Sequence, residues 1–272
     1  MKQQVDLSGS AFSDVDRSGC AKNFINYLDH ATDHFGPLKT FSHSLLQLSP
    51  GRRVLDVGCG CGDDLRKLAK LVAPNGQAIG IDNSQSLVKE ARRRTVGCEL
   101  QMRLAVGLAE HLPLHSNYFD ACRADRVFQH LTNPENALHE MLRVLKRGGR
   151  IVVIDRDWNL VAMDADDVET TRAVLNRACS GIRNGRMGRE LYGLFTQAGV
   201  LNAEVYPQNI SINSFAVADT LLDLRVVLAR AIAENLIGRH VGAKWLSDLL
   251  DRDAAHKFSA TLAIFVASGA KE

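Results

Sequence analysis

Residues 54–63 read VLDVGCGCGD, a short apolar strand followed at once by three alternate glycines. Glycine lets a chain turn tightly, and it lets a ligand approach the backbone without meeting a Cβ. The pattern of apolar residues after the glycines predicts a helix from Asp64 to Val72. The stretch therefore predicts a strand, a tight turn and a helix, with a ligand held at the turn.

An acidic residue follows the next predicted strand, which covers residues 77–81 and ends in Gly80-Ile81-Asp82-Asn83. Asp82 would lie at the carboxyl tip of that strand, where a ribose would sit if a nucleoside crossed the first two strands. A carboxylate accepts the protons of both ribose hydroxyls. The glycine turn and Asp82 together predict a nucleoside-binding site.

Asp63 bears on which nucleoside is bound. A dinucleotide fingerprint has its third glycine at this position, and a phosphate-binding loop would continue with Lys-Ser or Lys-Thr, which is absent here. An acid at a helix N-terminus opposes a pyrophosphate but is tolerable beside a cationic ligand. The residue favours a sulfonium nucleoside over NAD.

Predicted strands and helices alternate through much of the chain, which is typical of a parallel sheet covered on both faces. Further strands are expected at 99–105, 119–124, 151–154, 203–212 and 259–267. Further helices are expected in two segments between 23 and 48, at 85–94, from Asn133-Pro134 onward, and at 168–180, 188–198, 216–234 and 243–250. The fold class predicted is α/β, a Rossmann-like, doubly wound and mostly parallel sheet of seven strands.

The same pattern suggests one domain over residues 1–272. Residues 1–49 form an N-terminal helical arm, whose first twenty residues are expected to be loose, and 50–156 form the nucleoside-binding core. Residues 157–272 complete the sheet and include a helical cap at about 214–256, expected to cover the carboxyl edge where ligands of such folds bind.

Composition excludes several classes of partner. The 272 residues carry 33 Lys and Arg against 31 Asp and Glu, so a net charge of +2 offers no electrostatic case for nucleic acid or an anionic membrane. No apolar run is long enough to span a bilayer, and the polar start lacks the core of a signal peptide. Six scattered cysteines favour a reducing compartment. We expect a cytoplasmic protein with a small-molecule partner; a homodimer stays open.

Five ordered segments resemble the motifs of class I S-adenosylmethionine-dependent methyltransferases. The subgroup includes the ubiquinone and menaquinone C-methyltransferases and many natural-product methyltransferases. The segments are VLDVGCGCGDD from 54, GIDNSQSLV from 80, GLAEHLPL from 107, the stretch from 119 to 131, and EMLRVLKRGGR from 140. The resemblance is close over 50–156, and it implies methyl transfer with S-adenosylmethionine as the cofactor.

The resemblance also implies which residues bind the cofactor. Asp82 would bind the ribose hydroxyls, Asn83 would lie near the adenine, and the Ala124 carbonyl would receive the methionine ammonium. The full set implied is Gly58, Cys59, Gly60, Asp82, Asn83, Leu108, Ala109 and Ala124. The chain departs from the family at Leu108, where many relatives carry an aspartate that bonds the adenine amino group. Glu110 or backbone groups would have to replace that contact.

Candidates for the acceptor side follow the fourth and fifth strands. Methyl transfer from a sulfonium is an in-line displacement, so the protein mainly positions the acceptor, and a base is needed only where the nucleophile must lose a proton. His130 and Asp157 are the candidate catalytic residues, and Arg126 and Trp158 are the candidate substrate contacts. Each also has a purely structural interpretation, as a capping, solvated or core residue.

An arginine run and a cysteine pair also need an interpretation. The run Arg183, Arg186 and Arg189 suits a mobile lid, an anionic-substrate contact or a solvated helix start. Cys59-x-Cys61 lacks the spacing and partners of a zinc site, so no metal is predicted. Two other functions remain: an NAD-dependent oxidoreductase, which Asp63 opposes, and a non-catalytic nucleoside-binding module.

Overall fold

The computed structural model describes residues 11–18 and 21–272. Within those ranges the helices are α1 Ala21–His34, α2 Gly36–Leu45, α3 Asp63–Val72, α4 Gln85–Arg94, α5 Pro134–Val144, α6 Val168–Ser180, α7 Met187–Gln197, α8 Phe215–Leu222, α9 Leu224–Ala233 and α10 Arg239–Ala254. The strands are β1 Arg53–Val57, β2 Gln77–Asp82, β3 Met102–Val106, β4 Phe119–Asp125, β5 Leu145–Arg156, β6 Ala162–Met163, β7 Leu201–Ile212 and β8 Ala260–Ala270. Short 3-10 helices occupy Ala11–Asp14, Phe128–His130 and Trp158–Leu160.

One sheet joins all the strands in the described part of the chain. Its order is β3-β2-β1-β4-β5-β8, with β7 on the far side of β8 and the two-residue β6 paired to the start of β8. The strands β1 to β5 are parallel to one another, whereas β8 is antiparallel to both β5 and β7. Val57 of β1 is in register with Ile81 and with Ala124. The carboxyl ends of these strands therefore meet at one edge.

Alternating side chains bury both faces of the sheet. Val54 and Val152 belong to an apolar core under α2, α3, α6 and α8 to α10, whereas Leu55 and Val153 point into a second core under α5 and α7. Because side chains alternate along a strand, a strand buried on both faces is apolar throughout. The predicted fold class is confirmed.

The predicted helix over 216–234 is wrong as a single element. Asp223 has a left-handed backbone with φ of 51°, and it separates α8 from α9. Its N–H donates to the Asp219 carbonyl, and its own carbonyl accepts from the Val227 N–H. Aspartate is among the few residues other than glycine that tolerate this conformation. The break brings the end of α8 to the carboxyl edge of the sheet.

The expectation of a loose start is wrong for residues 11–18, and residues 1–10 and 19–20 lie outside the described residues. Val15 is buried with Phe24, Cys61 and Leu87 in a small apolar cluster. Asp16 accepts hydrogen bonds from the Ser84 hydroxyl and from backbone N–H groups at the start of α4. These contacts hold the segment against the edge where β1 and β2 end.

A buried ionic cluster, composed of Lys39, Asp56, Asp64, Arg123 and Asp125, ties α2 and α3 to the middle of the sheet. The Arg123 guanidinium is 3.3 Å from Asp56, 3.3 Å from Asp64 and 2.9 Å from Asp125. The Lys39 ammonium lies 2.7 Å from Asp64. Burial raises the pKa of Asp56 to about 7 despite the nearby Arg123. The charges in β1 and β4 thus neutralise each other inside the fold.

Candidate functional site

A cavity lies at the carboxyl edge of the sheet. Together with the open solvent at its mouth, it spans about 1390 Å³ of space outside the protein atoms. One end is formed by the turn after β1 and by the tips of β2 and β3; the other end lies over the tips of β4 and β5. Tyr27 and Leu28 of α1 and Leu221 and Leu222 of α8 line it from other elements of the fold. Helices α2 and α10 contribute no lining residue among those described.

The glycines of the turn have different roles. Gly58 has φ of 70°, and a Cβ there would stand 2.2 Å from Val127 Cγ2, so the residue is required for packing. Gly60 has φ of 51° and lines the cavity, and a Cβ there would lie 3.2 Å from Leu28 Cδ1. A side chain at Gly60 would therefore meet the end of the flexible Leu28 side chain and not the β-branched Val127, so Gly60 is the better position at which to test the cavity wall.

Asp82 joins the turn to the tip of β2. Its Oδ2 accepts the Gly60 N–H at 2.8 Å, and its Oδ1 accepts the Ser84 N–H at 2.9 Å. Burial raises the pKa of this carboxyl group, and the two N–H donors offset only part of the rise. Each carboxylate oxygen accepts more than one hydrogen bond, so lone pairs remain for a diol in the cavity. The residues therefore fit the ribose of S-adenosylmethionine.

The Asp82→Ala variant should bind S-adenosylhomocysteine at least tenfold more weakly, a loss of about 1.4 kcal/mol. The variant removes a charged acceptor for the ribose hydroxyls and also releases the Gly60 N–H. Calorimetry measures the effect, with Asp251→Ala on the exposed side of α10 as the matched control. Unchanged affinity in the Asp82 variant would remove the ribose assignment.

The other residues implied for the cofactor fall into two groups. Asn83, Leu108 and Ala109 line the cavity, with Leu108 56% exposed. Cys59 and Ala124 are buried behind the wall and do not line it. Burial raises the pKa of the Cys59 thiol well above its ordinary value. Any contact from these two positions would therefore have to come from the backbone.

Two acids near the cofactor end have partners in the protein. Glu110 lines the cavity, and its Oε1 accepts the Thr132 N–H at 3.1 Å. Asp63, at the start of α3, lies 2.7 Å from Arg66 and 3.1 Å from Arg94. The charge of Asp63 is thus shared with two guanidinium groups.

Three of the four residues predicted for the acceptor side line the cavity, and Asp157 does not. Arg126, His130 and Trp158 line the cavity, and the His130 ring stacks on Phe12 at 5.5 Å between centroids. Asp157 is not in the wall: its Oδ1 lies 2.9 Å from Arg189 Nη2, and it accepts the Asn159 N–H. Arg189 is therefore an ion-pair partner of Asp157 rather than part of a free cationic run.

Electrostatics at the tips of β4 and β5 depend on buried acids. Burial alone would raise the pKa of Asp125, but Arg126 and Arg123 hold it below its usual range. Arg126 has φ of 58° and lies 3.0 Å from Asp125. Burial raises the pKa of Asp155 to about 7, although it accepts the N–H groups of Gln129 and Arg156. The two arginines thus keep Asp125 in its ionised form.

Sequence reasoning assigned no site role to Phe12, Gln129 and Arg156, which all line the cavity. Tyr27 and Leu221, which line it too, lie in the helical segments expected to cover the carboxyl edge of the sheet. They come from separate parts of the chain, so no local motif could group them. Arg156 carried a partial signal, because it is a charged residue two positions after the apolar run 151–154 of β5.

Comparison with known proteins shows the family of the chain. A family model described as a methyltransferase domain matches residues 48–199, more than half of the chain. The chain belongs to this methyltransferase family. The match covers the turn, Asp82 and the tips of β4 and β5, whereas α1 and α8, which also line the cavity, lie outside it.

Curated relatives of this methyltransferase differ in how much they share. It is 37% identical over 263 residues to an uncharacterized 37.1 kDa protein in transposon TN4556 of Streptomyces fradiae, covering 96% of this chain and 73% of that protein. It is 38% identical over 119 residues to the ubiquinone/menaquinone biosynthesis C-methyltransferase UbiE of Ectopseudomonas mendocina. That match covers 43% of this chain and 46% of the relative, so it spans less than half the relative's length.

Solved structures agree on the fold of this methyltransferase. The YcgJ protein of Bacillus subtilis superposes with a TM-score of 0.60 at 19% identity, covering 88% of this chain and 98% of that chain. At this identity the likeness concerns the fold. The resemblance, the enzyme class and the cofactor predicted from the motifs are confirmed: the protein is an S-adenosylmethionine-dependent methyltransferase. The NAD-dependent alternative is not favoured.

No helix among residues 11–18 and 21–272 has the length and apolar character to cross a bilayer. The same residues contain no group of three or more His, Cys, Asp or Glu side chains arranged to hold a metal ion.

Proposed function

We propose that this methyltransferase transfers the methyl group of S-adenosylmethionine to a small molecule held over the tips of β4 and β5. The observation that carries the proposal is the single cavity that runs from Gly60 and Asp82 to Arg126 and Trp158. Helices α1 and α8 contribute lining residues, so an acceptor would be enclosed as in typical small-molecule sites.

In this proposal, residues at the end of the cavity near β1 and β2 contact the ribose, the adenine and the methionine part of S-adenosylmethionine. Asp82 accepts the ribose hydroxyls, Asn83, Leu108 and Ala109 surround the adenine, and the turn from Gly58 through Cys59 to Gly60 supports the methionine. The Ala124 carbonyl receives the methionine ammonium, and the ionised Asp125 beside it favours that cation. S-adenosylmethionine itself supplies an electrophilic methyl group on a sulfonium.

Positioning is the main catalytic contribution expected of the chain. Holding acceptor and methyl donor in line supplies up to about 7–11 kcal/mol of the barrier reduction. Where the acceptor nucleophile carries a proton, His130 is the residue in the wall suited to receive it. Asp157 is not proposed for this step, because it pairs with Arg189 outside the wall.

The purified protein, incubated with methyl-labelled S-adenosylmethionine and fractionated metabolite extracts, should place label in a small organic molecule. Label should be absent with the Gly60→Val variant, which serves as the control for enzyme-independent transfer. Label recovered in no small molecule, together with tight S-adenosylhomocysteine binding, would favour a non-catalytic nucleoside-binding module. Stabilisation against heat by NAD, and not by S-adenosylhomocysteine, would contradict the cofactor.

A further inference from the structure

Arg156 is a buried cation in the cavity wall at the end of β5. It is 3% exposed, and its guanidinium lies 5.2 Å from the ring centroids of both Phe35 and Trp158. Its Nη1 donates to the Leu221 carbonyl at 3.1 Å, and its Nη2 donates to the Tyr27 hydroxyl at 3.1 Å. The side chain thus connects the sheet edge to α1 and α8.

No carboxylate in the described ranges forms an ion pair with Arg156, whereas the neighbouring arginines are neutralised. Arg123 and Arg126 each lie within 3.0 Å of an oxygen of Asp125. Asp155 precedes Arg156, but its oxygens accept backbone N–H groups, and its raised pKa leaves its charge incomplete near neutral pH. The Arg156 Nε, moreover, is buried without a hydrogen-bond partner.

A buried charge without a counter-ion is costly, because the protein interior replaces water poorly around an ion. Aromatic rings and neutral acceptors recover only part of that cost. Such a cation in the wall of a ligand cavity is therefore poised for an anion carried by the ligand. The planar guanidinium fork suits a carboxylate best.

The position of Arg156 separates it from the cofactor turn. The sheet order places β5 two strands from β1 and three from β2. With neighbouring strands about 4.8 Å apart, the tip of β5 lies roughly 10 Å from the glycine turn across the sheet. The apolar residues Trp158, Leu222 and Val227 line the same cavity.

We propose that Arg156 binds a carboxylate of the methyl acceptor, and that the acceptor is an apolar, aromatic carboxylic acid. This inference rests on the proposed function, whose acceptor class it names. The aromatic body of the acid lies against Trp158 and the leucines of α8, and its carboxylate supplies the counter-ion that the fold lacks. Arg156 is in this sense a specificity-determining residue.

Binding of two probes to the protein saturated with S-adenosylhomocysteine tests the inference. The probes are 2-naphthoate and 2-naphthamide, which share an aromatic body and differ in charge. Calorimetry should show 2-naphthoate bound at least tenfold more tightly by the unaltered protein. The Arg156→Gln variant should lose this preference, Arg156→Lys should keep part of it, and Arg103→Gln on the exposed side of β3 should keep all of it.

The affinity for S-adenosylhomocysteine decides between competing roles, and thermal unfolding shows whether each variant is folded. It should stay within twofold in every variant. A tenfold loss in both Arg156 variants would assign the guanidinium to the cofactor's own carboxylate and overturn the inference. Equal affinity for the two probes in the unaltered protein, or no binding of 2-naphthoate at millimolar concentration, would mean that Arg156 only braces α1 and α8. None of these three results would change the outcome expected in the labelled-methyl test of the proposed function.

Discussion

The Arg123→Leu variant should unfold with a free energy about 3–5 kcal/mol lower than that of the unaltered protein. Arg123 is 1% exposed and contacts Asp56, Asp64 and Asp125 from the middle of β4. Leucine removes the cation and leaves these acids in an apolar interior. Lys39 still pairs with Asp64, but no other cation is an ion-pair partner of Asp56 among the residues described.

Urea denaturation at neutral pH measures this loss, with Arg103→Leu as the matched control. Arg103 is exposed on β3, so its replacement should change the free energy of unfolding by less than about 0.5 kcal/mol. A loss of similar size in both variants would show that the buried ionic cluster contributes nothing specific. The slope of the urea dependence should stay the same if only the folded state is affected.

The Gly60→Val variant should lose at least a hundredfold in affinity for S-adenosylhomocysteine, or about 2.8 kcal/mol. A β-branched residue is strained at the left-handed backbone angle of Gly60, where φ is 51°. Its Cβ would lie 3.2 Å from Leu28 Cδ1, and its methyl groups would enter the cavity beside Asp82. Gly58 is a poorer probe, because a Cβ there would overlap Val127 and disturb the fold.

Calorimetry for binding and thermal unfolding for stability distinguish the two effects of the Gly60 variant. Gly193→Val is the control, since a Cβ at Gly193 in α7 meets nothing within 4 Å. The control should bind S-adenosylhomocysteine normally. Normal binding by the Gly60 variant would mean that the cofactor does not approach this turn.

Local sequence was sufficient wherever neighbours in the chain create the feature. The apolar run before Gly58 predicts β1, and the three alternate glycines predict the turn. Asn133 caps α5 by accepting the Asn136 N–H at 2.9 Å, a contact between residues three apart. Asp82 follows β2 directly, so its place at the sheet edge needs only the parallel order of the strands.

Other features depend on distant contacts or on backbone angles that the local pattern does not encode. Asp157 follows β5 directly, which made it a candidate catalytic residue, but it pairs with Arg189, 32 residues later. Asp223 breaks the predicted helix over 216–234 because the chain adopts a left-handed angle there, and nothing in the apolar periodicity requires that angle. Asp16 accepts a hydrogen bond from the start of α4, nearly seventy residues later in the chain. Because the local sequence does not show this contact, the polar start was predicted to be loose.

The sequence by itself determined the α/β architecture, the glycine turn and the acid at the tip of β2, because strand periodicity and turn chemistry are properties of neighbouring residues. Only the tertiary structure decided that Arg123 is neutralised by three acids while Arg156 is buried without one. Both are arginines that interrupt or follow the apolar run of a strand. The difference arises because a counter-ion comes from whichever side chains the fold brings close, and sequence separation does not limit Coulomb attraction.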